Sequence, residues 1–257
     1  MATGRFDHDH GKAIAYLCHS RVSDQSDGLY RSAGAAPPTT PCPSNLLKPA
    51  AGSLRGNAVA GLRIGLLGGS FNPAHAGHCH ISLLALKLLH LDELWWVVSP
   101  QNPLKSTDDM APFEERLAQA RDTARDPRIR VTAIEARLNT RYTADTLHSL
   151  RSRFPHTRFV WIMGADNLAQ IPRWERWTEI FQLVPIAVFD RATYSFRALA
   201  GKAARRYARQ RIAAKDAVAL ADLRTPAWVY FHARRHPASA SSIRARRAQN
   251  RALPPRA

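Results

Sequence analysis

Acidic residues are scarce in this chain, and after residue 190 they nearly vanish. Across 257 residues there are 20 Asp and Glu against 37 Lys and Arg, a formal net charge of +17. Such a balance suggests a polyanion, a phosphate ester or an acidic surface as partner. Cysteine is also rare. Cys18, Cys42 and Cys79 are too few and too far apart for a disulfide framework or a closed zinc site. No apolar run approaches the ~18 residues of a membrane-spanning helix, so a helical membrane protein is excluded. No charged start followed by an apolar core is present, so no secretory signal is expected and the cytoplasm is the expected compartment. What is there is ordinary for a globular protein: 45% hydrophobic and 22% charged residues. The length suits one large α/β domain, with or without disordered ends.

The charge is unevenly spread. Residues 1–60 and 61–190 are each close to neutral, whereas residues 191–257 hold 16 basic side chains and only Asp216 and Asp222 as acids. The first sixty residues show no sustained apolar period. They contain the proline-rich stretch Pro37-Pro38-Thr39-Thr40-Pro41-Cys42-Pro43, which supports neither helix nor strand ladder. Residues 1–60 are therefore expected to be a disordered extension, 61–250 a folded domain and 251–257 a flexible tail.

Strand and helix patterns alternate from Gly61 onward. Arg63-Ile64-Gly65-Leu66-Leu67, Leu94-Trp95-Trp96-Val97-Val98, Ile129-Arg130-Val131, Arg158 to Met163 and Ile186 to Phe189 read as strands. Gly77–Leu89, Pro112–Ala124 and Thr143–Arg153 read as helices, and a further basic helix is expected after Ser195, carrying Arg205, Arg206, Arg209, Arg211 and Lys215. This alternation predicts an α/β fold: a Rossmann-like, doubly wound parallel sheet with helices on both faces.

The junction after the first strand reads Gly68-Gly69-Ser70-Phe71-Asn72-Pro73-Ala74-His75-Ala76-Gly77-His78. Strand-to-helix turns at the carboxyl edge of a parallel sheet bind phosphates, and glycine lets backbone N–H groups approach an anion closely. His75 and His78, three residues apart at a helix start, share one face near the positive end of the dipole. Two imidazoles there are suited to donate to phosphate oxygens as charge develops. No Gly-Lys-Ser/Thr follows, so this is not a Walker loop.

The pattern resembles the HxGH nucleotidyltransferase superfamily. Three further segments are similar to one of its families, bacterial nicotinate-nucleotide adenylyltransferase: Arg141-Tyr142-Thr143-Ala144-Asp145-Thr146-Leu147; Trp161 to Leu168 with Ile171 to Trp177; and Ala238-Ser239-Ala240-Ser241-Ser242-Ile243-Arg244. The resemblance runs from about Arg63 to Arg247. It implies transfer of the adenylyl group of ATP to nicotinate mononucleotide, with Mg²⁺ bound through the ATP phosphates and no metal held by the protein. It further implies catalysis by His75 and His78, and ATP binding by these with Gly68, Gly69, Ser70, Phe71, Gly164, Asp166, Ser239, Ser241 and Arg244. Candidate acceptor contacts are Thr143, Thr146, Trp174 and Lys105. An acceptor phosphate is already anionic, so this chemistry needs no protein nucleophile, only alignment and charge stabilisation.

Asn72 stands where many members carry Asp, and Ser241 where Thr is usual; each retains a hydrogen-bonding oxygen. Ala238 replaces a larger apolar residue. The nearest rival substrates are nicotinamide mononucleotide and phosphopantetheine, the latter disfavoured by His75. A different rival is nucleic-acid binding by the basic C-terminal segment. Against it stand sparse aromatics and the absence of a nucleic-acid motif, so no nucleic-acid partner is expected. No membrane partner is expected either, and a homo-oligomer is left open.

Overall fold

The computed structural model describes residues 61–101, 110–190, 195–232, 238 and 240–252. The expected extension 1–60, Lys105, Ser239 and residues 253–257 lie outside the described residues. The last helix runs to Ala252, two residues past the domain end expected at 250.

Seven parallel strands form one sheet, in the order β3-β2-β1-β4-β5-β7-β6. They are β1 (Arg63–Gly69), β2 (Glu93–Val98), β3 (Ile129–Thr132), β4 (Arg158–Gly164), β5 (Ile186–Phe189), β6 (Arg211–Ile212) and β7 (Trp228–Phe231). The inner strands are nearly continuous apolar runs because helices cover both faces of a parallel sheet. Leu66, Trp96, Val160, Ile162, Val188 and Val229 are fully buried. The expected doubly wound α/β fold is what forms.

Helices α1 (Ala76–Leu88), α2 (Phe113–Thr123), α3 (Ile134–Leu138), α4 (Thr143–Arg153), α5 (Ala165–Gln170) and α6 (Trp177–Leu183) connect the first five strands. Pro112 is the N-cap of α2, so the helix starts at Phe113, one residue later than expected. Ser82 of α1, fully buried, accepts the Trp96 indole N–H at 2.8 Å, which pins α1 to β2 without an unpaired polar group.

After β5 the chain departs from expectation. The anticipated basic helix is broken into α7 (Ser195–Leu199), α8 (Lys202–Arg206), a 3-10 turn at Ala208–Gln210 and strand β6, followed by a 3-10 helix at Ala214–Asp222. Gly201 starts α8 afresh, and Arg211 leaves the helical path to lie over the Trp228 and Tyr230 rings, 5.4 and 5.6 Å from their centroids. Tertiary packing against β7 thus overrides a locally helix-favouring Ala/Arg composition. Helix α9 (Ala240–Ala252) completes the described chain. Among the described residues no helix is long and apolar enough to cross a membrane.

The sheet order reverses between β1 and β4, which pair directly. Ligands in open α/β sheets bind outside the carboxyl ends of the strands at such a switch point. Gly68-Gly69 ends β1 there, and Gly164 ends β4 beside it.

Candidate active site

The turn after β1 is shaped by packing toward the core. Phe71 has a positive φ of 46° and is 2% exposed. Its ring stacks on Trp96 at 5.0 Å and lies 4.7 Å from the His78 ring. The Phe71 side chain therefore anchors the turn, and only its backbone is left to meet a ligand. Gly68 has a steric reason to be glycine: a Cβ there would lie 2.4 Å from the Trp161 ring.

His75 is the N-cap of α1 and His78 its third residue. The His75 Nδ1 accepts the Gly77 N–H at 3.1 Å, and the His78 Nδ1 accepts the His75 N–H at 3.2 Å. This is a reciprocal capping box built from two histidines in place of the usual hydroxyl and carboxylate. It also fixes chemistry. With both Nδ1 atoms accepting, each neutral ring carries its proton on Nε2. The rings sit 4.0 Å apart, His75 buried and His78 half-buried. The sequence placed both on one helix face; that they also cap the helix and so set each other's tautomer was not foreseen.

The C-terminal segment comes back to this turn. Arg244 on α9 donates from Nη1 to the Asn72 carbonyl at 2.6 Å, and the Ala238 carbonyl would lie 3.0 Å from a Cβ at Gly77. Asn72 keeps the role expected of its side-chain oxygen: Oδ1 accepts the Ala111 N–H at 3.3 Å. Ser241 is exposed in the first turn of α9. Gly164 caps α5 and Asp166, half-buried, lies in its first turn. The structure thus gathers Gly68, Gly69, Ser70, Phe71, His75, His78 and Arg244 at the end of β1, with Gly164 and Asp166 on the neighbouring strand end.

The acceptor candidates are more dispersed. Trp174, half-buried, meets Trp161 edge-on at 6.5 Å, and Trp161 in turn covers Gly68. Trp177, half-buried, meets Phe181 and Tyr207 edge-on, 6.1 Å from each ring. Thr143 is the first residue of α4 and is half-buried; Tyr142 is the cap. Thr146 is corrected. It is fully buried, and its hydroxyl lies 2.8 Å from Thr140 Oγ1, 3.2 Å from the Tyr142 carbonyl and 3.5 Å from Glu135. It supports the start of α4 from inside and does not face a ligand. Its position on the inward stripe, with Leu147 and Leu150, was the sign.

Two buried charged residues escaped the sequence entirely. Glu135 on α3 is 6% exposed, and burial pushes its carboxyl from the usual 4.5 up to about 7, opposed by hydrogen bonds to the Ser99 and Thr146 hydroxyls. Arg116 on α2 is 1% exposed, and burial draws its guanidinium below its ordinary value. Arg116 lies between Phe113, Leu117 and Ala120 on the inward stripe of α2, which is the signal that marks it. Among the described residues no three His, Cys, Asp or Glu side chains cluster to hold a metal.

The Glu135 shift has a sign that can be tested. A carboxyl raised on folding gives stability that is full below about 4.5 and lost as pH climbs through about 7. Glu135→Gln cannot titrate. Its stability relative to the parent should therefore improve by about 2.5 kcal/mol between pH 5 and pH 8. Urea unfolding at the two pH values measures this, and a constant gap would reject it.

The cytidylyltransferase-like family model matches residues 66–246, a span that takes in the His75–His78 turn, the β4 end and Arg244. The class is thus that of the cytidylyltransferase-like proteins. Over 186 residues the chain is 54% identical to a Parvibaculum lavamentivorans protein named "Probable nicotinate-nucleotide adenylyltransferase", covering 72% of this chain and 92% of that one. A Methylorubrum extorquens protein of the same name is 52% identical over 185 residues, covering 72% of this chain and 100% of that one. The chain belongs to the nicotinate-nucleotide adenylyltransferase family. Among solved structures, Plasmodium falciparum nicotinic acid mononucleotide adenylyltransferase complexed with NaAD shares the fold, with a TM-score of 0.52 at 17% identity over 72% of this chain and 83% of that one.

Proposed function

We propose that this protein transfers the adenylyl group of ATP to nicotinate mononucleotide, giving deamido-NAD and pyrophosphate in NAD biosynthesis, in the cytoplasm. The observation that carries the mechanism is the two-histidine cap at the switch point, which engages both Nδ1 atoms and so assigns the proton of each neutral ring to Nε2, near the positive end of α1, the His75 Nε2 being buried. An oxygen of the acceptor phosphate attacks the α-phosphorus of ATP in line. The bond to the β-phosphate bridging oxygen breaks, and pyrophosphate leaves with that electron pair. No covalent enzyme intermediate and no general base are involved, because the attacking group is an anion at neutral pH.

His75 and His78 donate to the ATP phosphates, and the backbone from Gly68 to Phe71 lines the approach. Arg244, held at the turn through Asn72, adds the fixed positive charge that a crowded triphosphate needs. Ser241, in the first turn of α9, supplies a hydroxyl to the same phosphates, and Ser239 is assigned the same role. Asp166 accepts from the adenosine, beside the Gly164 strand end. Mg²⁺ enters on the ATP phosphates as part of the substrate. Trp174 stacks on the nicotinate ring, Thr143 meets the acceptor at the start of α4, and Lys105 contacts an acceptor or ATP phosphate.

Turnover of nicotinate and nicotinamide mononucleotides with MgATP tests the substrate. Preference for the acid is expected; a clear preference for the amide overturns the assignment. Residues 61–250 are the catalytic domain on this reading, so deleting residues 1–60 should leave turnover within about twofold of the full chain, on the scale of a change remote from the site. Loss of folding would show that the extension belongs to the domain.

A further inference from the structure

Arg116 makes four hydrogen bonds from its guanidinium, all to backbone carbonyls, and the group also lies over the Phe113 ring, 5.4 Å from its centroid. Nε donates to Ala111 at 2.9 Å, Nη1 to Ser70 at 2.6 Å and Ser99 at 2.8 Å, and Nη2 to Pro100 at 2.7 Å. These four acceptors come from three places: the turn after β1, the end of β2 and the residues entering α2. Three neighbouring bonds reinforce the junction. The Ser99 N–H donates to Gly69, the Arg116 N–H to Pro112, and the Ala111 N–H to the side chain of Asn72. No carboxylate forms an ion pair with Arg116 among the described residues, so carbonyl dipoles carry the buried charge. A buried unpaired cation is expensive, and an apolar residue of similar size would fill the space at less cost. What the guanidinium provides is a planar fork that sets several loop ends at fixed distances and angles.

We propose that Arg116 is a positioning residue for adenylyl transfer, holding the Ser70 turn in the geometry that binds ATP. This rests on the nucleotide-binding role given above to the turn. Arg116 touches no substrate. It acts through the Ser70 carbonyl on the backbone that leads to His75, and through Ala111 and Asn72 on the carbonyl that holds Arg244. A shift of about 1 Å in such a turn is enough to cost one to two orders of magnitude.

Arg116→Lys and Arg116→Gln test this. Lysine keeps the charge but ends in one nitrogen, which cannot reproduce the spread of Nε, Nη1 and Nη2 toward the four carbonyls. ATP affinity is measured by titration without acceptor, kcat and KM by steady-state turnover, and Tm by thermal unfolding, all well below each variant's own Tm. Both variants should bind MgATP about tenfold or more weakly and lose kcat/KM by at least as much, with Lys regaining Tm over Gln but not activity. A lower Tm with ATP affinity and kcat near those of the parent would overturn the proposal. If neither variant folds, the parent decides. The Arg116 side-chain ¹⁵N resonances should shift when MgATP is added, and unshifted resonances at saturation would refute the proposal. Because ATP binding is read without acceptor, a wrong choice of mononucleotide leaves this test intact.

Discussion

His78→Ala should lower turnover by about 10²-fold or more while the protein stays folded, on the scale of losing one transition-state donor. Two roles are removed at once, and they can be separated. The alanine variant loses the Nε2–H offered to phosphate and also the Nδ1 that accepts the His75 N–H. The second loss uncaps α1 at a cost of about 1 kcal/mol, far below what unfolds a domain. His78→Asn tells the roles apart, because its Oδ1 can take over the cap while it offers nothing at the Nε2 position. Asparagine should restore most of the lost stability and none of the lost turnover. Near-normal turnover in either variant would remove His78 from the chemistry.

Gly77→Val should be nearly as damaging, although it changes no group that reacts. A Cβ at Gly77 would sit 2.9 Å from both Cε1 and Nδ1 of His75 and 3.0 Å from the Ala238 carbonyl. The imidazole can swing, but swinging breaks its bond to the Gly77 N–H and moves Nε2. The carbonyl belongs to the segment that leads into the helix bearing Arg244, so relief on that side displaces the arginine. Either route misaligns a donor, and a loss of about 10²-fold in kcat is expected. Valine's branch blocks more directions than alanine would, so Gly77→Ala should fall between the parent and valine. A valine variant with parental kcat would show that the turn tolerates this displacement.

The five strands from Arg63 to Phe189 were legible because buried parallel strands are continuous apolar runs, and the glycines that end β1 and β4 punctuate them. The clustering at the end of β1 was legible for a related reason: its residues are close in sequence, in one turn, with Arg244 recognised through a family segment. The edge after β5 was not. Trp228-Val229-Tyr230-Phe231 is a strong strand pattern that went unassigned, and the Ala/Arg run before it favours helix locally while its arginine is needed across β7. Arg116 and Glu135 escaped because a charged residue on a helix is ordinarily read as surface. Only their phase, in step with Leu117 and Ala120 or beside Ile134, tells that these two point inward. Thr146 misled in the opposite way. Its hydroxyl suited a ligand by type, and its place on the buried stripe assigned it elsewhere.

Among the described residues the sheet ends on a strand of two residues. An unpaired strand edge is a template on which another chain can pair and start an aggregate, and native edges are commonly kept short and charged for that reason. β6 offers Arg211 and Ile212 alone, and Arg209 and Arg211 are exposed on either side of Gln210. At the opposite edge, β3 runs four residues, with Arg130 in a salt bridge to Glu93. Two copies brought together at their β6 edges would bring the exposed Arg209 and Arg211 of one near those of the other. Part of the positive surplus of the last quarter thus lies where like charges oppose edge-to-edge pairing, a consequence that needs no polyanion.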